Sequence, residues 1–515
     1  MDRIQIYDTT LRDGAQTEGI SFSYEDKLEI MKNLDAFGMD FIEGGMPSSN
    51  PKDLELFNSS PKMENSRLVA FGSTCRPNVP ASDDEGLRVL ASCKCEWVCI
   101  FGKTWDFHVT EALETTLDEN LRMIRDSISF LKSKGKKVIF DAEHFFDGFK
   151  NNEEYAMKAL EAASEAEWIV LCDTNGGNMP TYISEVTAKV VKTTGKNIGI
   201  HCHNDSDMAV ACSLSAVSSG ARMVQGTVNG IGERCGNANL CSVIPNLKLK
   251  MGFDVPIDLT KLTNLSFSVA EIANTRHIPH MPFVGEKAFA HKGGMHVSAL
   301  MKDPRTYEHV PPESVGNKRM ILISDMSGRA SISEKIKEMG IQADDETIDR
   351  IKTLVKEKES EGYQYEGADA SLRLLIERAK GTAEPPFSVQ GFRLSIDGIG
   401  VTDLQSEASI KVKDDSGNIE HTAADGGGPV DALDKSLRKA LSKFFPVIND
   451  IKLTDYKVRV LDEKAATEAR VRVLIRTTDG KTTWSTVGVS ENVIEASLIA
   501  LSDSMEYAIM MTRRG

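Results

Sequence analysis

The sequence lacks the features that mark membrane, secreted and nucleic-acid-binding proteins. No stretch approaches the roughly 20 apolar residues that a membrane-spanning helix needs. The N-terminus, MDRIQIYDTT, has neither the basic start nor the apolar run of a signal peptide. Basic side chains are outnumbered, with 61 Lys and Arg against 76 Asp and Glu, which gives a net charge of −15. A chain this acidic has no electrostatic attraction to nucleic acid or to an anionic membrane.

Cysteine is also scarce. Nine cysteines among 515 residues are no disulfide framework, so we expect a reducing, cytoplasmic location. Hydrophobic residues make up 41% and charged residues 27% of the chain, both near the globular average, which excludes a disordered, collagenous or coiled-coil protein. At roughly 150 residues per domain, the length predicts about three or four domains, or one large barrel with appendages.

The first half of the chain alternates between short apolar runs and amphipathic helical patterns such as residues 24–37 and 117–134. A strand, a loop and a crossover helix together take about 30 residues, and the spacing of the runs fits one such unit in each interval. Eight units in about 250 residues predict a (β/α)8 TIM barrel, with a doubly wound parallel sheet as the alternative. We place the barrel at residues 1–270. The runs begin near Ile4, Asp40, Leu68, Trp97, Val138, Trp168, Ile198 and Met223.

Residues 271–385 change character. They carry helical patterns at 344–359 and 368–380 and no clear strand periodicity, so we predict helical subdomains and a connector. The segment GTAEPPF at 381–387, with its paired prolines, is typical of a domain boundary.

Residues 386–515 are predicted to form a duplicated α+β domain. Two stretches, from Ser406 and from Ala469, alternate like the strands of an antiparallel hairpin. Each is followed by a helical pattern, at 432–445 and 493–509. A duplicated module of this kind suits a small binding domain.

Polar side chains collect at the C-terminal ends of several predicted strands. Barrel enzymes place their chemistry at this end, so we expect these side chains to share one mouth. They are Arg12, Asp13, Glu43, Asp141, Glu143, Asp173, Thr174, His201, His203, Asn204, Asp205, Glu233, Arg234 and Asn237.

The motif His201-Cys202-His203 is the sharpest of these features. Alternate residues of a strand share a face, so both imidazoles point the same way. Asp13 from another strand supplies an anionic oxygen, and Asn237 could add a neutral one. Two His and one carboxylate leave positions open for water and substrate, as a catalytic metal requires. The alternative is a pair of half-buried histidines with satisfied hydrogen bonds.

Arg12 and Glu143 each have two interpretations. Arg12 could form a structural ion pair with Asp13, or it could serve as the cation for a substrate carboxylate or a developing oxyanion. Glu143 could be a solvated strand end, or it could orient or activate a proton donor.

Four segments resemble signatures of the α-isopropylmalate and homocitrate synthase family, and the resemblance covers nearly the whole chain. The segment FGKTWDFHVTEAL at 101–113 is similar to the branch of this family that condenses pyruvate with acetyl-CoA to give citramalate. The four signatures are LRDGAQ at 11–16 followed, after ten intervening residues, by Lys27, IGIHCHND at 198–205, GIGERCGNANL at 230–240 and GGMHVSAL at 293–300.

The resemblance implies a divalent cation, one of Mn, Mg, Zn or Co, held by Asp13, His201, His203 and Asn237. The family's second signature normally has glycine where this chain has Asp207, which we expect in the first turn of the helix after the metal-binding strand.

The resemblance also implies the remaining roles. Arg12 would stabilise the substrate oxygen and Thr174 would contact the ketoacid carboxylate. Glu143 would help activate acetyl-CoA. His296 and Tyr307 would act near the thioester as base or water activator.

The implied substrates are pyruvate and acetyl-CoA, and the implied pathway is isoleucine biosynthesis. Residues 386–515 would be a regulatory domain that binds isoleucine, and the chain would form a homodimer. Three alternatives stay open: a family member that takes 2-oxoisovalerate or 2-oxoglutarate, a metal-dependent lyase or aldolase, and an amino-acid-sensing protein with an inert barrel.

Overall fold

The computed structural model describes residues 2–59, 61–324, 327–381, 384–399, 402–461 and 469–514. Thr382 and Ala383, from the predicted boundary segment, lie outside this part of the chain. The chain divides into two compact units: Met1–Phe289 with His309–Arg319, and Ala290–Glu308 with Met320–Gly515. The predicted domain limits at residues 270 and 385 stay predictions.

The first unit is a closed barrel of eight parallel strands, which confirms the predicted fold class. The first strand pairs with the second and the eighth, as in the register pairs Tyr7 with Phe41 and Gln5 with Met223. The strands are β1 (Gln5–Asp8), β2 (Phe41–Gly45), β3 (Arg67–Ser73), β4 (Trp97–Lys103), β5 (Lys137–Glu143), β6 (Trp168–Asp173), β7 (Ile198–Cys202) and β8 (Met223–Gly226).

Helices cover the outside of the barrel. The first begins with a capping box between Ser23 and Asp26 and ends at Gly38, whose φ of 96° suits glycine. The helices of this unit are α1 (Tyr24–Phe37), α2 (Pro51–Ser59), α3 (Glu85–Ser92), α4 (Asp106–Glu111), α5 (Leu117–Ser133), α6 (Phe145–Asn151), α7 (Glu153–Ala162), α8 (Pro180–Thr194), α9 (Ala209–Ser218), α10 (Leu240–Pro245) and α11 (Leu262–Ile272).

Alternate strand residues point into the barrel and fill it, so the barrel is a packed core rather than a pore. Phe41 and Trp97 meet edge to face with ring centroids 5.0 Å apart. Burial of each large apolar side chain of this kind stabilises the folded state by about 1.5–3 kcal/mol. This apolar floor contains Tyr7, Phe41, Val69, Phe71, Trp97, Cys99, Ile139, Val170, Cys172 and Met223. The polar strand ends lie above it, towards the C-terminal face.

The second unit begins with the two short parallel strands β9 (Ala290–His291) and β10 (Met320–Ile321). Two of its helices begin one residue after the predicted positions 344 and 368. The helices are α12 (Gly294–Leu300), α13 (Arg329–Glu338), α14 (Asp345–Ser360) and α15 (Asp369–Lys380). None of the described helices in either unit is long and apolar enough to cross a membrane.

The rest of the second unit is the predicted duplication, with one more strand in each half than the sequence indicated. Each half is an antiparallel three-stranded sheet followed by a helix. The predicted strand–turn–strand units are therefore incomplete, because the opening strands β11 and β14 expose most of their residues and show little hydrophobic alternation. The first half is β11 (Phe387–Ile399), β12 (Thr402–Asp414), β13 (Ile419–Gly426) and α16 (Pro429–Leu441), and the second is β14 (Lys452–Val460), β15 (Val471–Thr478), β16 (Thr483–Ser490) and α17 (Val493–Arg514).

Candidate active site

Three of the predicted metal ligands converge at the C-terminal mouth of the barrel. Asp13 lies just before a short 3-10 helix in the loop after β1, His201 lies on β7, and His203 follows β7 directly. One potential ligand atom from each lies within 4.8 Å of the others. All three residues are buried. The imidazole rings of His201 and His203, two positions apart in the chain, therefore point to the same side, as the sequence predicted.

Asn237, from the loop after β8, completes what we call the mouth cluster: Asp13, His201, His203 and Asn237. Its Nδ2 donates to Asp13 Oδ2 at 3.3 Å and lies 3.0 Å from His201 Nε2. Asn237 Oδ1 and His203 Nδ1 are buried and, among the described residues, have no hydrogen-bond partner. An unpaired buried polar atom costs about 1–3 kcal/mol, and coordination of a cation would remove that cost. The donor set therefore fits a divalent metal.

The electrostatics of the mouth cluster also suit a cation. Burial opposes the charge on Asp13, but Arg12 and the two imidazoles outweigh it and hold the pKa of the carboxyl below its usual range. Burial, together with His201, lowers the pKa of His203 to about 3. A charged carboxylate and a neutral imidazole are the protonation states that bind metals.

Arg12 is held between two carboxylates at the edge of this cluster. Its Nε donates to Glu43 Oε1 at 2.5 Å, its Nη1 donates to Asp13, and its guanidinium lies 3.8 Å from the centre of the Phe71 ring. Tyr7 donates its hydroxyl to the second oxygen of Glu43 at 2.5 Å. The structural ion pair and the substrate-facing cation are thus compatible, because the paired Arg12 also lines the cavity over the cluster.

Burial raises the pKa of Glu43 to about 7, and the charges of Asp13 and Asp141 act in the same direction against the opposing effect of Arg12. Burial also raises the pKa of Asp141. The buried side of the site, with Asp13, Glu43 and Asp141 around Arg12, therefore holds more carboxyl groups than cations.

Thr174 and Glu143 lie at the same mouth, each with a partner. The hydroxyl of Thr174 accepts the backbone N–H of His144 at 2.8 Å, which fixes the position of its oxygen. Glu143 forms an ion pair with Lys103. Glu143 is therefore not a bare solvated strand end, and its predicted part in activating acetyl-CoA stays a prediction.

A cavity of about 560 Å³ opens above the cluster. Its lining includes Arg12, Asp13, Glu143, Thr174, His201 and His203 together with the apolar side chains Leu11, Phe71 and Phe101. Six of the nine residues to which the family resemblance assigns a role therefore lie on one surface, and Asp141 lines it as well.

His296 and Tyr307 belong to the second unit and lie in α12 and just after the short 3-10 helix Pro304–Thr306. Their rings stack with centroids 4.1 Å apart, and Tyr307 is 45% exposed. The two residues are thus neighbours, and their predicted roles near the thioester stay predictions.

Asp207 does not lie in the first turn of a helix, and that expectation is wrong. Helix α9 begins at Ala209, and Asp207 lies in the preceding turn with a φ of 60°. Its Oδ1 accepts a hydrogen bond from Asn204 Nδ2 at 3.2 Å. This left-handed backbone is one that glycine adopts without strain and that Asp tolerates better than most residues.

Gln225, a fully buried residue on β8, was not predicted from the sequence. Its Oε1 lies 2.7 Å from His201 Nδ1, and its Nε2 donates to Asp141 Oδ1 at 2.9 Å. A signal was present, since a glutamine inside the apolar run MVQG is unusual for a strand buried on both faces.

Comparison with known proteins gives matches along almost the entire chain. Residues 3–269 match the HMGL-like family, residues 283–362 the homocitrate synthase post-HMGL domain-like family, and residues 366–509 the LeuA allosteric (dimerisation) domain. The (R)-citramalate synthase of Aquifex aeolicus is 54% identical, over 99% of this chain and 98% of its own length. The (R)-citramalate synthases of Geobacter sulfurreducens and Synechocystis are 52% and 48% identical, over 99% of this chain and 98% and 97% of theirs.

Proposed function

The chain belongs to the α-isopropylmalate and homocitrate synthase family of HMGL-like barrel enzymes, and from this membership we propose that it makes (R)-citramalate from pyruvate and acetyl-CoA. It is a condensing transferase of that family. The observation that carries the proposal is the convergence of Asp13, His201 and His203 within 4.8 Å at the floor of a cavity lined by Arg12.

The proposed reaction joins two carbons and then breaks a thioester. A base removes a proton from the acetyl methyl group, the resulting enolate attacks the ketone carbon of pyruvate, and water hydrolyses the citramalyl thioester to release CoA. A divalent metal held by Asp13, His201, His203 and Asn237 would polarise the ketone as a Lewis acid.

The chain's own side chains supply the remaining steps. Arg12, fixed by Glu43 and Asp13, stabilises the negative charge that develops on the ketone oxygen, where electrostatic stabilisation contributes most. Thr174, oriented by the His144 backbone N–H, hydrogen-bonds the pyruvate carboxylate. Glu143 helps to activate acetyl-CoA, and His296 with Tyr307 transfers the proton or activates the hydrolytic water.

The duplicated domain is proposed to regulate the barrel. Its match to an allosteric and dimerisation domain supports regulation by an effector and a homodimeric chain. The effector that we propose from the family resemblance is isoleucine. A coupling free energy of about 1–3 kcal/mol between effector and substrate sites would suffice for feedback control.

The test is CoA release from acetyl-CoA with pyruvate, 2-oxobutyrate, 2-oxoisovalerate and 2-oxoglutarate, each with and without a chelator. We expect a strong preference for pyruvate that disappears with the chelator and returns with added Mn²⁺. A preference for 2-oxoisovalerate would retain the metal site but overturn the choice of substrate. CoA release that resists thorough chelation would overturn the metal-dependent mechanism.

A further inference from the structure

The inward face of the barrel carries a hydrogen-bonded chain that ends on a proposed metal ligand. Gln225 on β8 is the register partner of His201 on β7, so the two side chains lie side by side on the same face. Asp141 on β5 contacts the far end of the Gln225 amide. All three residues are at most 5% exposed, so water does not compete for these contacts.

The chemistry of the three groups fixes the direction of each hydrogen bond. Asp141 Oδ1 lies 2.9 Å from Gln225 Nε2 and accepts from it, so the amide turns its NH₂ towards Asp141. The amide oxygen then faces His201 Nδ1 at 2.7 Å. An amide oxygen only accepts, so the proton of the neutral imidazole resides on Nδ1.

A contact on the other side of the ring agrees with this assignment. Asn237 Nδ2, a donor, lies 3.0 Å from His201 Nε2. The lone pair of the neutral imidazole therefore lies on Nε2, which faces the other members of the mouth cluster.

We propose that Asp141 and Gln225 form a relay that sets the tautomer and ring orientation of His201 and so prepares Nε2 to bind a divalent cation. Gln225 is a positioning residue that acts through His201. The proposal rests on the metal site of the proposed function. Outer-shell partners of metal-binding histidines commonly contribute about 10–100-fold to metal affinity, because they fix the ring and raise the basicity of the bound nitrogen.

The test measures Mn²⁺ affinity of the full chain by calorimetry, without substrates. Gln225→Leu has a similar volume but no acceptor for Nδ1–H, and we expect it to weaken Mn²⁺ binding by about 10–100-fold. Gln225→Glu retains an oxygen that can accept from His201 Nδ1–H, so Mn²⁺ binding should stay within a few fold of that of the unchanged chain. Ser127→Ala is the matched control, because it removes a buried acceptor that serves the Cys75 backbone N–H.

The outcomes separate the relay from the site that it serves. If the unchanged chain does not bind Mn²⁺, the proposed metal site fails and the relay with it. If the unchanged chain binds and Gln225→Leu binds equally well, only the relay is overturned. Equal losses in Gln225→Glu and Gln225→Leu would also overturn it, since that pattern indicates a packing role.

Asp141→Ala provides a second variant in case Gln225→Leu does not fold. It leaves the His201 contact in place but frees the amide to rotate. We expect it to weaken Mn²⁺ binding in the same direction and by a smaller factor, and unchanged binding in this variant would overturn the relay.

Discussion

Each compact unit buries a cluster of charged and polar side chains, and the two clusters differ in what they leave unpaired. In the mouth cluster of the barrel, Asn237 Oδ1 and His203 Nδ1 are buried without a hydrogen-bond partner among the described residues. In the second unit, Arg378 on α15 holds Asp503 and Glu506 on α17, and all four carboxylate oxygens accept hydrogen bonds. Ser371 donates to Asp503 and accepts the Val487 backbone N–H. We call Ser371, Arg378, Asp503 and Glu506 the helix cluster.

The two clusters show that a buried charged group does not by itself indicate a catalytic or ligand-binding site. The helix cluster is closed in the sense that every oxygen of its two carboxylates accepts a hydrogen bond from Arg378 or Ser371. The mouth cluster is open, because potential ligand atoms of Asp13, His201 and His203 lie within 4.8 Å of one another, and two buried polar atoms of the cluster have no hydrogen-bond partner among the described residues. Buried polar atoms in native proteins are paired with few exceptions, so the unpaired ones are the better guide to a site.

The largest expected effect comes from removing a donor of the open cluster. His203→Gln should lower CoA release by about a thousandfold or more, since Lewis-acid stabilisation of several kcal/mol corresponds to a factor of this size. The melting temperature should change little, because His203 Nδ1 has no hydrogen-bond partner in the part of the chain that the structure describes. Turnover in a steady-state assay and calorimetric melting measure the two quantities. Near-normal turnover in this variant would falsify the assignment of His203 to the metal.

A substitution in the helix cluster should have the opposite effect, with a loss of stability and little change in turnover. Arg378→Ala leaves Asp503 and Glu506 without their cation, and we expect a loss of about 2 kcal/mol in the free energy of unfolding. The partly exposed guanidinium keeps this value below that of a fully buried pair. CoA release without effector, measured at a temperature where the variant is folded, should stay near that of the unchanged chain. Arg378→Lys, which retains the charge without the forked geometry, is the control and should lose less stability.

The contribution of the helix cluster to the free energy of unfolding should also depend on pH. Burial raises the pKa of Glu506 and of Asp503 in spite of Arg378. The folded state then binds more protons than the unfolded state above the ordinary carboxyl pKa of about 4, so each carboxyl's contribution to stability falls as the pH rises towards the raised value. Glu506→Gln should therefore gain stability relative to the unchanged chain as the pH increases from 4 to neutrality. Urea unfolding of both chains across this range tests the sign, and an opposite trend would show that Arg378 lowers the pKa instead.

Much of the fold was predictable because a parallel barrel buries both faces of its strands. All eight apolar runs became strands that begin within one residue of the predicted positions. The opening strands β11 and β14 were missed, since a strand with one open face and many exposed residues carries little hydrophobic signal.

The candidate site was predictable at the level of single residues and not at the level of their partners. His201 lies near the C-terminal end of β7 and Asp13 lies in the loop after β1, and the sequence alone predicts that the C-terminal strand ends of a barrel share one mouth. The pairs Lys103 with Glu143 and His201 with Gln225 are register partners on adjacent strands. Register depends on how the barrel closes, which apolar spacing does not specify.

The smallest expected effect lies in the loop that follows His203 of the open cluster. Asp207 adopts a φ of 60°, and its carboxylate accepts from Asn204, so the turn depends on a backbone that few side chains tolerate. Asp207→Ala should cost about 1 kcal/mol, because it combines the strain of a left-handed Ala with the lost hydrogen bond. Asp207→Gly should stay within about 0.5 kcal/mol of the unchanged chain, since relief of strain offsets the greater entropy of the unfolded glycine. Melting temperatures rank the two variants, and equal losses would mean that the hydrogen bond rather than the backbone controls the turn. Unchanged Mn²⁺ affinity in the glycine variant would then show that the family glycine and this aspartate serve the same loop geometry.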